Sequence, residues 1–345
     1  MKVFVSGGGG FIGSHVAEYY ASKGHDVVVL DNLSRPKLLK KEIRNIDYNK
    51  KYLEQFKNLR FVMGDVTKTG DVLSASKDAD VFFHLAAQTA VTTSVTDPDP
   101  DFQSNALGTF NVLEAARKSP KNPSVIYAST NKVYGNNPNE IGLVEKEDHY
   151  EFEPKYASGI KESFSIDHCE HTPYGCSKLT GDLYMQDYAH VYGMKTGVFR
   201  MSCIYGTRQF GVEDQGWVAW FTIATLLGKP ITIYGDGKQV RDVLFVNDLV
   251  QLYDRFLSSK IKHGVFNAGG GPGNTLSLLK LLDLLEKLTG KRSKISYSDW
   301  RPSDQKVFIA DIEKARKDLG WKPETNPEQG VEKLSEWVKA NLNIF

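Results

Sequence analysis

The run Gly7-Gly8-Gly9-Gly10-Phe11-Ile12-Gly13 stands between an apolar segment, Val3 to Val5, and a helical pattern from Ile12 to Ser22. A strand that ends in a glycine turn and restarts as a helix lets the backbone approach a ligand closely. It also aims unpaired N–H groups and a partial positive charge at that ligand, an arrangement that suits a pyrophosphate. The bare alternative is a tight strand-to-helix turn with nothing bound. Asp31 strengthens the ligand reading, because it ends the second apolar run about 20 residues further on, where a carboxylate can accept from adenosine ribose hydroxyls. The same charge repels a 2′-phosphate and favours NAD over NADP, although Arg35 leaves that exclusion open.

Short apolar runs recur at Val3 to Val5, Val27 to Leu30, Phe61 to Met63, Val81 to His84 and Ser124 to Tyr127. Helical patterns such as Ile12 to Ser22 and Phe102 to Lys118 lie between them, so the first half predicts βαβ units. The expected architecture is α/β: a Rossmann-like doubly wound parallel sheet with a smaller C-terminal substrate lobe. Residues 1–195 are read as mainly the cofactor domain and 196–345 as mainly the substrate lobe, with the chain crossing between the two.

Composition narrows the classes. With 43 Lys plus Arg against 42 Asp plus Glu, the 345 residues carry a formal net charge of +1, which gives no global pull toward nucleic acid or an anionic membrane. The basic stretch Lys37 to Lys51 is interrupted by Glu42 and Asp47 and reads as a solvated helix. No apolar stretch approaches the ~20 residues of a membrane span. Three unpaired cysteines, Cys169, Cys176 and Cys203, support neither a disulfide framework nor a zinc ribbon, so a reducing cytoplasmic setting is expected. His168, Cys169, Glu170 and His171 lack metal-ligand spacing and a distant fourth ligand, and no metal is expected.

Tyr174 and Lys178 lie four apart in Tyr174-Gly175-Cys176-Ser177-Lys178, so a helix places both on one face. A phenol with a pKa of about 10 is a poor base at neutral pH, and a nearby ammonium stabilises its phenolate. Thr130 follows the fifth strand at the carboxyl edge, where open α/β sheets bind ligands, and its hydroxyl can hold a reacting oxygen. Ser129 is the rival residue, and a turn-capping role is the plain alternative.

The GxxGxxG spacing together with the Tyr-x-x-x-Lys string resembles the extended short-chain dehydrogenase/reductase superfamily. That resemblance implies catalytic roles for Thr130, Tyr174 and Lys178. It implies cofactor contacts by Gly7, Gly10, Phe11, Ile12, Gly13, Asp31, Asn32, Ser34 and Arg35, by Asp65 and Val66, by Leu85, Ala86, Ala87 and Gln88 after the fourth strand, and by Asn105. Sugar dehydratases of the superfamily resemble the Thr130 segment but carry Asp and Glu after the threonine. Asn131 and Lys132 stand there in this chain and cannot serve as that acid and base in the same way.

The strings STNKVYG, GTRQF, DQGWVAWF, GKQVRDVL and SDQKVFIADI further resemble CDP-sugar 2-epimerases. The resemblance implies a CDP-sugar substrate, with C2 inverted through a 2-keto intermediate. Thr92, Thr93, Asn131 and Lys132 are expected beside the sugar, together with Gln88; Arg241, Arg301 and Asp304 are expected at the nucleotide diphosphate, and Arg208 and Gln209 are expected to contact the substrate. Trp217, Trp220 and Phe210 are aromatic candidates for the base, or ordinary lobe packing. A homo-oligomer is expected. The alternatives left open are C4 epimerisation of another nucleotide sugar and a non-catalytic NAD-binding scaffold.

Overall fold

A computed structural model describes residues 1–39, 45–301 and 304–345. The centre of the basic stretch, Lys40 to Arg44, and the Pro302-Ser303 pair of the second arginine motif lie outside the described residues. On either side of 40–44, short helices span Arg35–Leu39 and Tyr48–Leu53.

The chain forms two compact units, one of residues 1–133, 172–200 and 253–266, the other of residues 134–171, 201–252 and 267–345. In the first, the apolar runs form β1 (Lys2–Ser6), β2 (Asp26–Asp31), β3 (Leu59–Met63), β4 (Val81–His84) and β5 (Ser124–Thr130). Two later strands, Thr196–Met201 and His263–Ala268, complete a seven-stranded sheet. Its order is His263–Ala268, Thr196–Met201, β5, β4, β1, β2, β3. The β1 pairings with β2 and β4, and those of β2 with β3 and β4 with β5, are parallel. The sequence-adjacent order reverses between β1 and β4, which opens a crevice at their carboxyl ends.

Nearly continuous burial along β1, β2, β4 and β5 follows from helices covering both faces. Phe4, Val28, Phe82 and Tyr127 pack with Val112, Leu113 and Met185 in one core cluster. Tyr20, Phe83 and Tyr253 form a ring chain, with centroids 5.2 and 6.0 Å apart. The expected helix from Phe102 is interrupted: Pro98–Phe102 runs into a π-helical turn, Gln103–Leu107, before the helix Gly108–Arg117. Such turns occur often at functional sites.

In the second unit, the strand Val240–Phe245 pairs with Cys203–Tyr205 and Val307–Phe308 in parallel and with Thr275–Ser277 antiparallel. The helix Trp217–Leu227 lies between Gly216 and Gly228, both in the left-handed region. Ser277 caps Leu278–Thr289, and Asn326 with Gln329 forms a capping box on Pro327–Ala340. Apolar faces of these helices make the unit's core around Phe221, Ile223, Leu281 and Leu334. Among the described residues no helix is long and apolar enough to cross a membrane.

Candidate active site

The glycine loop leaves β1 at the topological switch and enters α1 (Phe11–Ser22). Gly7 has φ +75°, and a Cβ there would lie 2.5 Å from the Ala86 backbone nitrogen. A Cβ at Gly13 would lie 2.1 Å from the Gly7 carbonyl oxygen. Side chains would therefore fill the cradle. Gly10 occupies the N-cap without a side-chain bond, so Phe11 and Ile12 open a first turn whose N–H groups have no intrahelical acceptor.

Asp31 buttresses this loop. Its carboxylate accepts from the Gly9 N–H at 2.9 Å and the Leu33 N–H at 2.8 Å. Burial raises its pKa, and those backbone donors oppose the rise. Asn32 donates to Asp65 at 2.9 Å and accepts from the Ser34 N–H at 3.0 Å. For Asp65, burial is outweighed by bonds from Thr67 and Asn32, and its pKa is lowered. Val66 is buried and its carbonyl accepts from Asn111 at 2.9 Å. Arg35 begins its short helix, and burial lowers its guanidinium to about 10. An open glycine cradle, an exposed helix start and a carboxylate ending β2 fit the diphosphate and ribose of a dinucleotide.

At the end of β5, side-chain alternation separates the two hydroxyl rivals. Ser129 is fully buried and donates to Asp182 Oδ2 at 2.7 Å, in a cluster where Arg200 Nε reaches the same oxygen at 3.0 Å. The Thr130 hydroxyl acts on the Tyr174 phenol and accepts from the Lys132 N–H at 3.2 Å. Burial drives the Tyr174 phenol up to about 12, with the Thr130 hydroxyl acting downward. Tyr174 and Lys178 both lie on the helix Thr172–Tyr192, whose start is tied down by a bond from the Tyr174 N–H to Ser94 Oγ at 3.1 Å. Gly181 lets this helix seat on β5, because a Cβ there would meet Tyr127 Oη at 2.3 Å. The Lys178 ammonium accordingly rests 4.2 Å from the centre of the Tyr127 ring. Burial lowers Lys178 to about 7, while Asp101 and Asp182 pull it upward.

The loop after β4 carries Leu85, Ala86, Ala87 and Gln88. Gln88 turns back on its own loop, its amide engaging the Ala90 carbonyl at 2.9 Å and the Ala90 N–H. Asn105, in the π-helical turn, is fully buried and exchanges hydrogen bonds with the Gln88 backbone at 2.9 and 3.0 Å. Its Nδ2 also lies 3.0 Å from both Asp101 Oδ1 and Ser177 Oγ. His84 spans the switch point, with Nδ1 2.8 Å from Ser6 Oγ and Nε2 2.9 Å from Thr109 Oγ1. Asp101, Ser177 and Asp182 carry no local motif, and sequence reasoning missed them. The only sequence signal for Asp101 is its place one helical turn before Asn105.

Thr92, exposed, and Thr93, half-buried, lie on the helix Val91–Thr96. Asn131 accepts from Thr130 at 3.3 Å, and Lys132 follows in a 3₁₀ turn. In the second unit, Arg241 pairs with Asp304 at 2.8 Å, and Arg301 pairs with Asp214 at 3.2 Å while its guanidinium stacks 4.0 Å from the Tyr234 ring centre. Arg208 is buried with φ +58°, and Gln209 donates to the Ile204 carbonyl at 3.3 Å. Phe210 packs on Trp337 and Phe345 at 5.7 and 5.5 Å, and Trp217 packs on Phe221. The Trp220 indole nitrogen is buried without a hydrogen-bond partner. Among the described residues no group of three or more metal-ligating side chains assembles.

A doubly wound parallel sheet, a glycine cradle at its switch point and a Thr130, Tyr174 and Lys178 set define a short-chain dehydrogenase/reductase of the extended type. Residues 4–334 match the family described as GDP-mannose 4,6 dehydratase, and the chain belongs to that family. It is 42% identical to the CDP-paratose 2-epimerase of Salmonella typhi, over 99% of this chain and 100% of that protein. It is 31% identical to a putative UDP-glucose 4-epimerase of Methanocaldococcus jannaschii, over 98% and 99% of the two chains. Among solved structures, UDP-glucuronic acid 4-epimerase from Bacillus cereus, in complex with UDP-glucuronic acid and NAD, superposes with a TM-score of 0.80. The identity is 28%, and the match covers 99% of this chain and 100% of that one.

Proposed function

We propose that this protein is an NAD-dependent epimerase that inverts C2 of a CDP-linked sugar through transient oxidation to a 2-keto sugar. The observation that carries the reading is the Thr130 segment. Thr130 meets Tyr174, yet the two residues after it are Asn131 and Lys132, an amide and an ammonium. An oxidised sugar in this site lacks the paired acid and base that expel water, so reduction from the other face is the step left to it. The likeness to a protein named CDP-paratose 2-epimerase supports C2 and the cytidine nucleotide.

The glycine cradle, Asp31, Asp65, the Leu85 to Gln88 loop, Asn105, Tyr174 and Lys178 would hold NAD. When bound, NAD supplies the hydride acceptor and a cationic ring. Thr130 holds the reacting hydroxyl while Tyr174 takes its proton and later returns it. Bringing the Tyr174 phenol from about 12 to neutrality takes ~5 units, ~7 kcal/mol of differential stabilisation, and Lys178 contributes to it from one helical turn away. Arg241 and Arg301, permanently charged and suited to bidentate contacts, carry the substrate diphosphate, with Asp304 paired to Arg241, and Arg208 and Gln209 contact the substrate. Thr92, Thr93, Asn131 and Lys132 contact the sugar.

A homo-oligomer in the cytoplasm is part of this proposal. Phe110 on the helix Gly108–Arg117 and Leu183, Tyr184, Val191 and Tyr192 on the helix Thr172–Tyr192 are large apolar side chains left exposed. A second copy of the chain would cover them. Light scattering of Leu183→Glu against wild type tests this, with dissociation to a lighter species expected.

The test of the reaction is a CDP-hexose carrying deuterium at C2, incubated in ordinary water without added NAD. The inverted product keeps the label at C2. Washing-out of the label into solvent indicates enolisation, and a label-neutral inversion at C4 indicates the 4-epimerase; either result overturns the proposal. No turnover of any nucleotide sugar returns the chain to a binding scaffold.

A further inference from the structure

Asp101 lies at the junction of the helix Pro98–Phe102 and the π-helical turn, and its side chain is 1% exposed. Oδ1 accepts from Asn105, but Oδ2 is buried with no hydrogen-bond partner. A buried carboxylate with an orphan oxygen is costly unless an opposite charge offsets it. Asn105 ties Asp101 to Ser177, the residue preceding Lys178, with one amide nitrogen 3.0 Å from each.

The other groups that face Lys178 are committed elsewhere or neutral. On its own helix, Asp182 is held by Arg200 through both oxygens, at 3.0 and 3.2 Å, and also receives Ser129 and Gln186. Tyr174 on the same helix and Tyr127 on β5 are phenols that burial keeps protonated. His84 on β4 has both nitrogens engaged, and burial, helped by the Lys178 charge, pushes it down to about 3. Asp101 is the remaining carboxylate with an unspent oxygen; burial raises its pKa, and the Lys178 charge opposes the rise.

We propose that Asp101 is a positioning residue for the proton-transfer pair: its carboxylate, held by Asn105 beside Ser177, keeps the Lys178 ammonium charged through space while Tyr174 gives and takes the proton. Burial alone drives Lys178 toward the neutral amine, which offers the phenolate no stabilising charge. The Asp101 charge opposes that loss. It also disfavours the phenolate of Tyr174, so its benefit lies wholly in the lysine.

This inference rests on the acid–base reading of Tyr174 and Lys178, and its test needs no sugar substrate, so it can fail separately from that reading. The full chain, as purified with its cofactor, is labelled with [ε-¹³C]lysine, and the Lys178 resonance is assigned by its loss in Lys178→Met. In Asp101→Asn the titration midpoint of Lys178 is expected to fall by about one unit or more, and in Asp101→Glu to return toward wild type. With a CDP-hexose that turns over, the alkaline limb of kcat moves to lower pH by the same amount while KM holds. If Asp101→Asn does not fold, Asp101→Ser removes the same charge with less bulk. A midpoint that stays put or rises in whichever neutral variant folds overturns the proposal, even if overall activity drops.

Discussion

Ser129 Oγ donates to Asp182 Oδ2 at 2.7 Å, on the side of the strand opposite to the hydroxyl of its neighbour Thr130, which donates to Asn131 at 3.3 Å and acts on the Tyr174 phenol. Adjacent residues of a strand point to opposite faces, so one hydroxyl braces a buried ion pair and the other reaches the reacting group. The two substitutions therefore part company. Ser129→Ala should cost about 1–3 kcal/mol in urea unfolding, because it strips a donor from a buried carboxylate, and leave kcat near wild type. Thr130→Val should cost about 1 kcal/mol, through the lost bonds to the Lys132 N–H and Asn131, and lower kcat about 100-fold. The reverse pattern would reassign the catalytic hydroxyl.

Tyr174→Phe removes the transferable proton without altering the ring. Loss of general acid–base catalysis predicts a kcat lower by ~10²–10⁴-fold, with cofactor still present in the purified protein. Single-turnover absorbance of the reduced nicotinamide locates the defect in the oxidation step. Unchanged turnover would remove Tyr174 from the mechanism.

Gly13→Ala places a methyl 2.1 Å from the Gly7 carbonyl oxygen, a backbone atom with no easy retreat. The expected outcome is a loss of about 1–3 kcal/mol in stability and a purified protein depleted in NAD, read from the ratio of absorbance at two wavelengths. Full cofactor retention would contradict the cradle.

His84 sets part of the acid stability. Burial, with the charge of Lys178 second, holds it at about 3 against the ordinary imidazole value of 6.5. Between those values the unfolded chain binds a proton that the native chain refuses. The contribution is therefore fully present above pH 6.5 and is lost as pH falls toward 3, on the order of 5 kcal/mol at most. His84→Gln can still face Ser6 and Thr109, and its stability should decline less steeply between pH 6 and 4. Parallel slopes in chemical denaturation across that range would show that His84 does not set it.

The cofactor half was readable where chemistry and local geometry coincide. The glycine spacing, Asp31 at a strand end and the Tyr174 to Lys178 spacing each depend on a few consecutive residues with fixed periodicity. Other features depended on distant partners. The π-helical turn broke the helix expected from Phe102, and it placed Asn105 where its amide joins Gln88, Asp101 and Ser177. Arg241 and Arg301 could be named from sequence, but their pairing with Asp304 and Asp214 could not.

By itself, the order of residues determined the parallel α/β sheet, the glycine turn between β1 and α1 and the placing of Tyr174 and Lys178 one helical turn apart, since strand and helix periods and glycine freedom are properties of short segments. Tertiary structure alone decided which of two neighbouring hydroxyls faces Tyr174, brought residues 253–266 into the first unit, and set the buried carboxylates of Asp101 and Asp182 in the field of Lys178. Those outcomes arise from packing and desolvation between segments far apart in the chain. Burial moves Lys178 to about 7 and Tyr174 to about 12 only once helix, strand and loop have closed around them.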